Sequence, residues 1–181
     1  MSMFSKVVNA RCHPSTPALA IHGLHNMRRW EVYAGAKGDV APYVWEFNLI
    51  INCTGTKLPN HRVNLIPPGT GISPCWTSPV RDREMVIDWP DFKTPDMPIQ
   101  FWQMLLLTVQ KKRRVLVFCG AGHGRTGTCL SLLWMIANEI PGTQAINEVR
   151  KLYCHEAVET LQQTEYIMRV GELLGYGKGD K

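Results

Sequence analysis

The sequence predicts a three-layer α/β domain, and three observations predict it. Short apolar runs rich in branched residues, at 48–54 and 115–118, have the length and composition of buried strands. Apolar residues at helical spacing dominate the C-terminal half. The two patterns mix along one chain of 181 residues, about the size of one domain, so helices must cover a sheet. A single domain over residues 1–181 is expected, with a frayed tail from about residue 175.

Taken in order, residues 18–21 read as a short strand. Residues 48–54, NLIINCT, read as a buried strand followed by turn residues. Residues 67–79 are rich in proline and glycine and read as a long loop. Residues 84–88 have the pattern of another short strand. Pro98 is acceptable in a first helical turn, and Phe101, Met104, Leu105 and Thr108 follow at helical spacing. Residues 115–118 are too few for a helix and branched enough for a central strand. Residues 126–140 give a strongly apolar helix ended by Pro141-Gly142. Ala145 or Ile146, Val149 and Leu152 mark an amphipathic helix. A final helix spans 161–174, closed by Gly175.

Composition narrows the class. Hydrophobic residues make up 45%, enough for a core, and charged residues 19%. No apolar run approaches the roughly 20 residues that span a bilayer. The start, MSMFSKVVNARCHP, lacks the apolar stretch of a signal peptide. A soluble cytoplasmic protein without a membrane segment is expected. Cys12, Cys53, Cys75, Cys119, Cys129 and Cys154 are scattered, which indicates reduced thiols rather than a disulfide framework. Cys129 and Cys154 fall in helical patterns as small core residues. His22, His25, His61 and the pair Cys12-His13 have no ligand spacing, so neither a metal nor a cofactor is expected. The formal charge is +5. The one compact basic run, Lys111-Lys112-Arg113-Arg114, lies between a helix and a strand. No aromatic residues interleave with it, so it reads as a solvated corner and no nucleic-acid partner is expected.

Residues 119–128, CGAGHGRTGT, carry the chemistry. A strand runs in and an apolar helix follows. Backbone N–H groups in such a tight loop converge on one point, and the helix adds its unpaired donors and the positive end of its dipole. Gly120, Gly122 and Gly124 allow the backbone angles, and Ala121 and His123 complete the loop. Arg125 adds a planar fork that grips two phosphate oxygens. The same field favours a thiolate at Cys119, a competent nucleophile toward phosphorus. The loop amides and Arg125 carry the transition-state charge, so no metal is required. His123 either favours acidic substrates when protonated or faces solvent.

This loop resembles the signature of the cysteine-dependent protein tyrosine phosphatases, Cys-x-Ala-Gly-x-Gly-Arg-Thr-Gly. Phe118 departs from it, since most members carry histidine there. The resemblance implies a compact phosphatase fold, a central mixed sheet flanked by helices, over residues 84 to about 166. It implies catalysis through a cysteinyl-phosphate, with Cys119 as nucleophile and Arg125 as clamp. Thr126 would hydrogen-bond the departing sulfur, although helix initiation also explains it. Trp89-Pro90-Asp91, 28 residues before Cys119, resembles the family's acid loop, with Pro95 soon after. By that match Asp91 is the general acid and then the base. Asp88 is the runner-up and Asp96 a distant third, and an ordinary turn is the bland alternative. Residues 158–163, VETLQQ, resemble the glutamine-bearing loop. Glu159 takes its first polar position and Gln163 the second, which would position the attacking water. Thr160 and Gln163 equally have the form of a capping box. Cys53 invites a reversible disulfide with Cys119, although core packing explains it as well. Trp76 either contacts substrate or pins its loop, and whether the loop at 67–79 gates the site is left open by the sequence.

The expected function is a metal-independent phosphomonoester hydrolase acting on phosphotyrosine-containing protein, of tyrosine-specific or dual-specificity type. The short chain points to dual specificity and the Trp-Pro-Asp loop to tyrosine. Alternatives are a phosphorylated-ligand binding module without turnover, a phosphatase for phosphoinositide or RNA 5′-phosphate, and a sulfur- or arsenic-handling transferase. Lysine is missing from the loop, which weighs against a lipid.

Overall fold

The computed structural model describes residues 14–58 and 83–177. The proline-rich stretch at 67–79, with Cys75 and Trp76, lies outside them, as do Cys12, His13 and His61. Five strands form a mixed sheet: β1 (Ala18–His25), β2 (Arg28–Ala36), β3 (Leu49–Asn52), β4 (Glu84–Val86) and β5 (Arg114–Cys119). Their order is β1-β2-β5-β3-β4. β1 and β2 are an antiparallel hairpin, and every other neighbouring pair is parallel. β5 is central, and five of its six residues are buried. A parallel strand covered on both faces reads as a continuous apolar run, which is why RVLVFC was legible.

Four helices cover one face: α2 (Ile99–Lys112), α3 (Gly124–Asn138), α4 (Gly142–Leu152) and α5 (Leu161–Leu173). They pack against Val32, Ile51 and Val117 in the larger core. The other face is covered by α1 (Lys37–Val40) and a 3-10 turn, Ala41–Glu46. Val40, Val44 and Phe47 there bury Ile50, Leu116 and Phe118. The α/β architecture is the one expected, with a thin third layer.

Several elements differ from the sequence reading. The first strand extends to His25, and β2 was missed entirely. Trp30, Val32 and Ala34 are buried while Arg29, Glu31 and Tyr33 are not, a clean period of two. The turn between the strands hides the hairpin: Asn26 and Met27 both take positive φ, 49° and 60°. Asparagine signals such a turn, but methionine does not. α1 and the 3-10 turn were also missed, each being too short to show a period. In α2 the buried residues are Trp102, Leu105, Leu106 and Val109, and Met104 is 61% exposed. The apolar face is therefore rotated from the one expected, and Pro98 is the N-cap rather than a first-turn residue. α3 starts at Gly124, not residue 126, because its first turn is part of the glycine-rich loop. It ends at Asn138, where Glu139 turns left-handed at φ 54°. α5 ends near Gly175, at φ 82°, as expected.

Candidate active site

Cys119 ends the central strand, and α3 begins five residues later. Gly122, at φ 86°, supplies the turn that a side chain would strain. Its N–H donates to the Cys119 sulfur at 3.3 Å, inside the protein. Its carbonyl accepts from the Tyr153 hydroxyl at 2.7 Å, which pins the loop from the end of α4. Phe118 points to the opposite face of the sheet and is fully buried with Leu116 and Ile50. The residue before Cys119 thus serves the core, and the contact to the sulfur comes from the loop backbone.

Arg125 lies in the first turn of α3 and is 8% exposed. One terminal nitrogen, Nη1, donates to the Trp89 carbonyl at 3.1 Å. The other, Nη2, pairs with Asp91 Oδ1 at 2.9 Å. Nε is buried and has no partner among the described residues. Asp91 of the acid-loop candidate and the candidate clamp Arg125, 34 positions apart in sequence, therefore meet. The loop is braced from below: Trp89 is buried, its indole donates to the Lys93 carbonyl at 2.8 Å, and its ring meets Trp102 edge-on. Asp91 itself is exposed, at 60% for its side chain. Phe92 follows at φ 57° and is 57% exposed. Asp88 and Asp96 are also exposed, and neither makes an ion pair to Arg125.

The 158–163 segment closes the other side. Glu159 Oε2 accepts from the Gly124 N–H at 2.8 Å, so a carboxylate already sits on a donor at the start of α3. Val158 takes a strained φ of 63°, and Arg150 holds the carbonyls of Ala157 and Val158 at 2.9 and 3.1 Å. Thr160 and Gln163 form the capping box of α5. Gln163 Oε1 accepts from the N–H groups of Glu159 and Thr160, at 2.9 and 3.2 Å. Its Nε2 is buried without a partner among the described residues. A Cβ on Gly124 would come within 2.9 Å of that nitrogen and collide with Glu159 Oε2, so Gln163 is brought to the cradle.

A family model described as PTP-SAK, Swiss Army Knife protein, DSP-PTPase phosphatase domain, matches residues 74–166, just over half of the chain. The chain belongs to this DSP-PTPase family. Two curated relatives, the uncharacterized proteins MJECL20 and MJ0215 of Methanocaldococcus jannaschii, are each 45% identical over 60 residues, a third of this chain. The match spans only 39% and 36% of their own lengths. Among solved structures, Tk-PTP in its active form is 21% identical with a TM-score of 0.57, covering 80% of this chain and 92% of that one. PTPMT1 is 15% identical with a TM-score of 0.57, covering 80% and 91%. Human DUSP28 is 14% identical with a TM-score of 0.53, covering 80% and 90%. These likenesses are of fold.

The remaining candidates of the phosphatase domain fall as follows. Thr126 is fully buried, and its hydroxyl has no partner among the described residues. His123 is not the solvent-facing residue anticipated: its side chain is 19% exposed. Nδ1 lies 3.3 Å from the Cys154 sulfur and Nε2 3.7 Å from Glu156. Cys53 follows β3, its N–H donating to the Phe118 carbonyl at 2.9 Å, which makes it the strand neighbour of Cys119. A hydrogen bond with Cys129, reinforced by burial, pushes the Cys53 thiol well above its usual value. Cys129 and Cys154 are buried core residues as expected, but only Cys129 lies in a helix, since α4 ends at Leu152 before Cys154. Among the described residues no cluster of His, Cys, Asp or Glu is arranged to hold a metal, and no helix is long and apolar enough to cross a membrane.

Sequence reasoning missed Tyr153 and Arg150, whose contacts link α4 to the loop and carry no local signal. It also missed why Gly127 must be glycine. A Cβ there would meet Ala157 Cβ and the Val158 backbone nitrogen, both at 2.7 Å. Backbone cannot yield cheaply, so Gly127→Ala is expected to lower stability by about 1–3 kcal/mol, read from denaturant unfolding.

Proposed function

We propose that the chain is a protein phosphatase that hydrolyses phosphotyrosine by way of a cysteinyl-phosphate. The observation that carries this reading is the contact of Asp91 with Arg125 at 2.9 Å. It brings the Asp91 carboxyl group to the guanidinium that this reading takes as the phosphate clamp. In the first step the substrate dianion takes over the Arg125 fork and the loop N–H groups. The Cys119 sulfur forms a bond to phosphorus while the bond from phosphorus to the ester oxygen breaks. Asp91 gives its proton to that oxygen, and the alcohol leaves. In the second step Asp91 takes a proton from water, the water oxygen bonds to phosphorus, and the sulfur leaves as thiolate. In this reading the Thr126 hydroxyl serves that sulfur and Gln163 Nε2 the water, since neither has a partner among the described residues. Gly120, Ala121, Gly122, His123 and Gly124 frame the dianion through their backbone.

Support for an aryl ester comes from Phe92, an exposed ring on the acid loop next to Asp91. A second reading is a phosphoinositide substrate, favoured by the solved complex of PTPMT1 with PI(5)P, a protein of the same fold. A panel of phosphotyrosine peptide, phosphoserine peptide, phosphoinositide, 5′-phosphorylated RNA and thiosulfate separates these readings. Phosphotyrosine peptide is expected to give the highest kcat/KM. A larger value for phosphoinositide or RNA would replace the protein substrate, and no turnover of any phosphoester would leave a binding module.

A further inference from the structure

The parallel strands end at the cradle, so their N-terminal ends form the opposite pole of the sheet. There the fold unites two basic stretches far apart in sequence. Arg28 and Arg29 open β2 at the hairpin tip, while Lys111, Lys112 and Arg113 end α2 and its cap and lead into Arg114 of β5. Pairing of Glu31 with Arg114, and the Glu31 N–H donating to the Arg113 carbonyl at 2.6 Å, set the two side by side. Arg29 and Arg114 are ion-paired, to Glu31 at 3.0 Å and Glu46 at 3.7 Å. Arg28, Lys111, Lys112 and Arg113 are exposed and, among the described residues, form no ion pair. This is more charge than the solvated corner expected from one basic run.

Aliphatic side chains project beside it. Met27 is 99% exposed and Leu24 75%. Met27 sits at φ 60°, where glycine or asparagine would be less strained, so turn geometry does not account for a methionine.

We propose that this pole docks on an anionic lipid bilayer. Met27 and Leu24 enter the boundary between headgroups and acyl chains, and the four free cations face the lipid phosphates and carboxylates. Apolar insertion and attraction to anionic lipid act together in such contacts. Each basic side chain at the surface raises partitioning about fivefold. A nucleic acid fits less well, because two aliphatic side chains at the tip give bases no stacking face and would lie against phosphates. Docking this way turns the cradle toward water. It stands off the surface by at least the length of β5, roughly 20 Å for six residues. The enzyme would then meet phosphorylated proteins standing off the membrane rather than headgroups of the leaflet that holds it. The docking surface shares no residue with the cradle and stands or falls independently of turnover.

The test is cosedimentation of the full chain with phosphatidylcholine vesicles and with vesicles that also contain phosphatidylserine. Binding is expected only to the mixed vesicles and is expected to be released by salt. The double variant R28E/K112E is expected to lose roughly twentyfold or more in partitioning. Met27→Ser is expected to weaken binding several-fold while leaving its salt dependence, since it removes insertion and keeps charge. Thermal melting of both variants reports that the fold is intact. Equal sedimentation with both vesicle types, or a double variant that binds like the parent, overturns the proposal. Tighter binding to a single-stranded RNA oligonucleotide than to mixed vesicles overturns it in favour of nucleic acid.

Discussion

Replacing Cys119 with serine is expected to lower turnover of an aryl phosphate by roughly 10⁴-fold or more, the scale on which a covalent nucleophile acts. The hydroxyl is a poor nucleophile at this position because nothing in the described cradle takes its proton. The sulfur's partner is a donor, the Gly122 N–H. Binding of a tetrahedral oxyanion should survive the change, since the loop amides and Arg125 remain. Stopped-assay phosphate release gives the first quantity and calorimetry with tungstate the second. Turnover near that of the parent would end the cysteinyl-phosphate mechanism. Acid-quenched parent enzyme should carry one added phosphate on the peptide containing Cys119, seen by mass.

Asp91→Ala is expected to lower kcat by roughly 10² or more for a substrate with a poor leaving group. The loss should shrink for an activated aryl phosphate, whose oxygen leaves without a proton. The ion pair gives this variant a second, opposite signature. Asp91 occupies Arg125 in the free enzyme at 2.9 Å, so its removal should tighten oxyanion binding while it slows turnover. A variant that merely damaged the loop would lose both. Asp88→Ala is the matched control, since Asp88 is exposed and its carboxylate lies near Gly55 instead. A large loss of kcat there, with Asp91→Ala active, would move the acid to Asp88.

What was legible in the sequence was what is local. Cys119, the glycines and Arg125 lie within one turn and one loop, so their order alone dictates a cradle. β5 and β3 are buried on both faces and show as unbroken apolar runs. β2 carried a signal too, the alternation of Trp30, Val32 and Ala34 with polar neighbours, but the turn before it contains a methionine where a turn residue belongs. α2 misled because Phe101, Met104, Leu105 and Thr108 fit a helix as well as the true buried set does. Only the packing of Trp102 against Tyr166 and Trp89 fixes which face turns inward. The contacts of Glu159 with Gly124 and of Tyr153 with Gly122 span 35 and 31 positions. Nothing in either segment announces its partner; the fold brings them together.

The carboxylates that rest on Arg125 and Gly124 would compete there with an incoming anion. Asp91 is tethered, so it acts at an effective concentration on the order of millimolar, whatever the surrounding solution contains. A singly charged small anion offers no more to the guanidinium than Asp91 does, so at or below millimolar concentration it is expected to compete poorly. A dianion that meets the fork and several amides together should be admitted. The ion pair at 2.9 Å is thus expected to favour dianions over monoanions at low millimolar concentration. Inhibition by chloride or acetate should be weak, and inhibition by tungstate or vanadate strong.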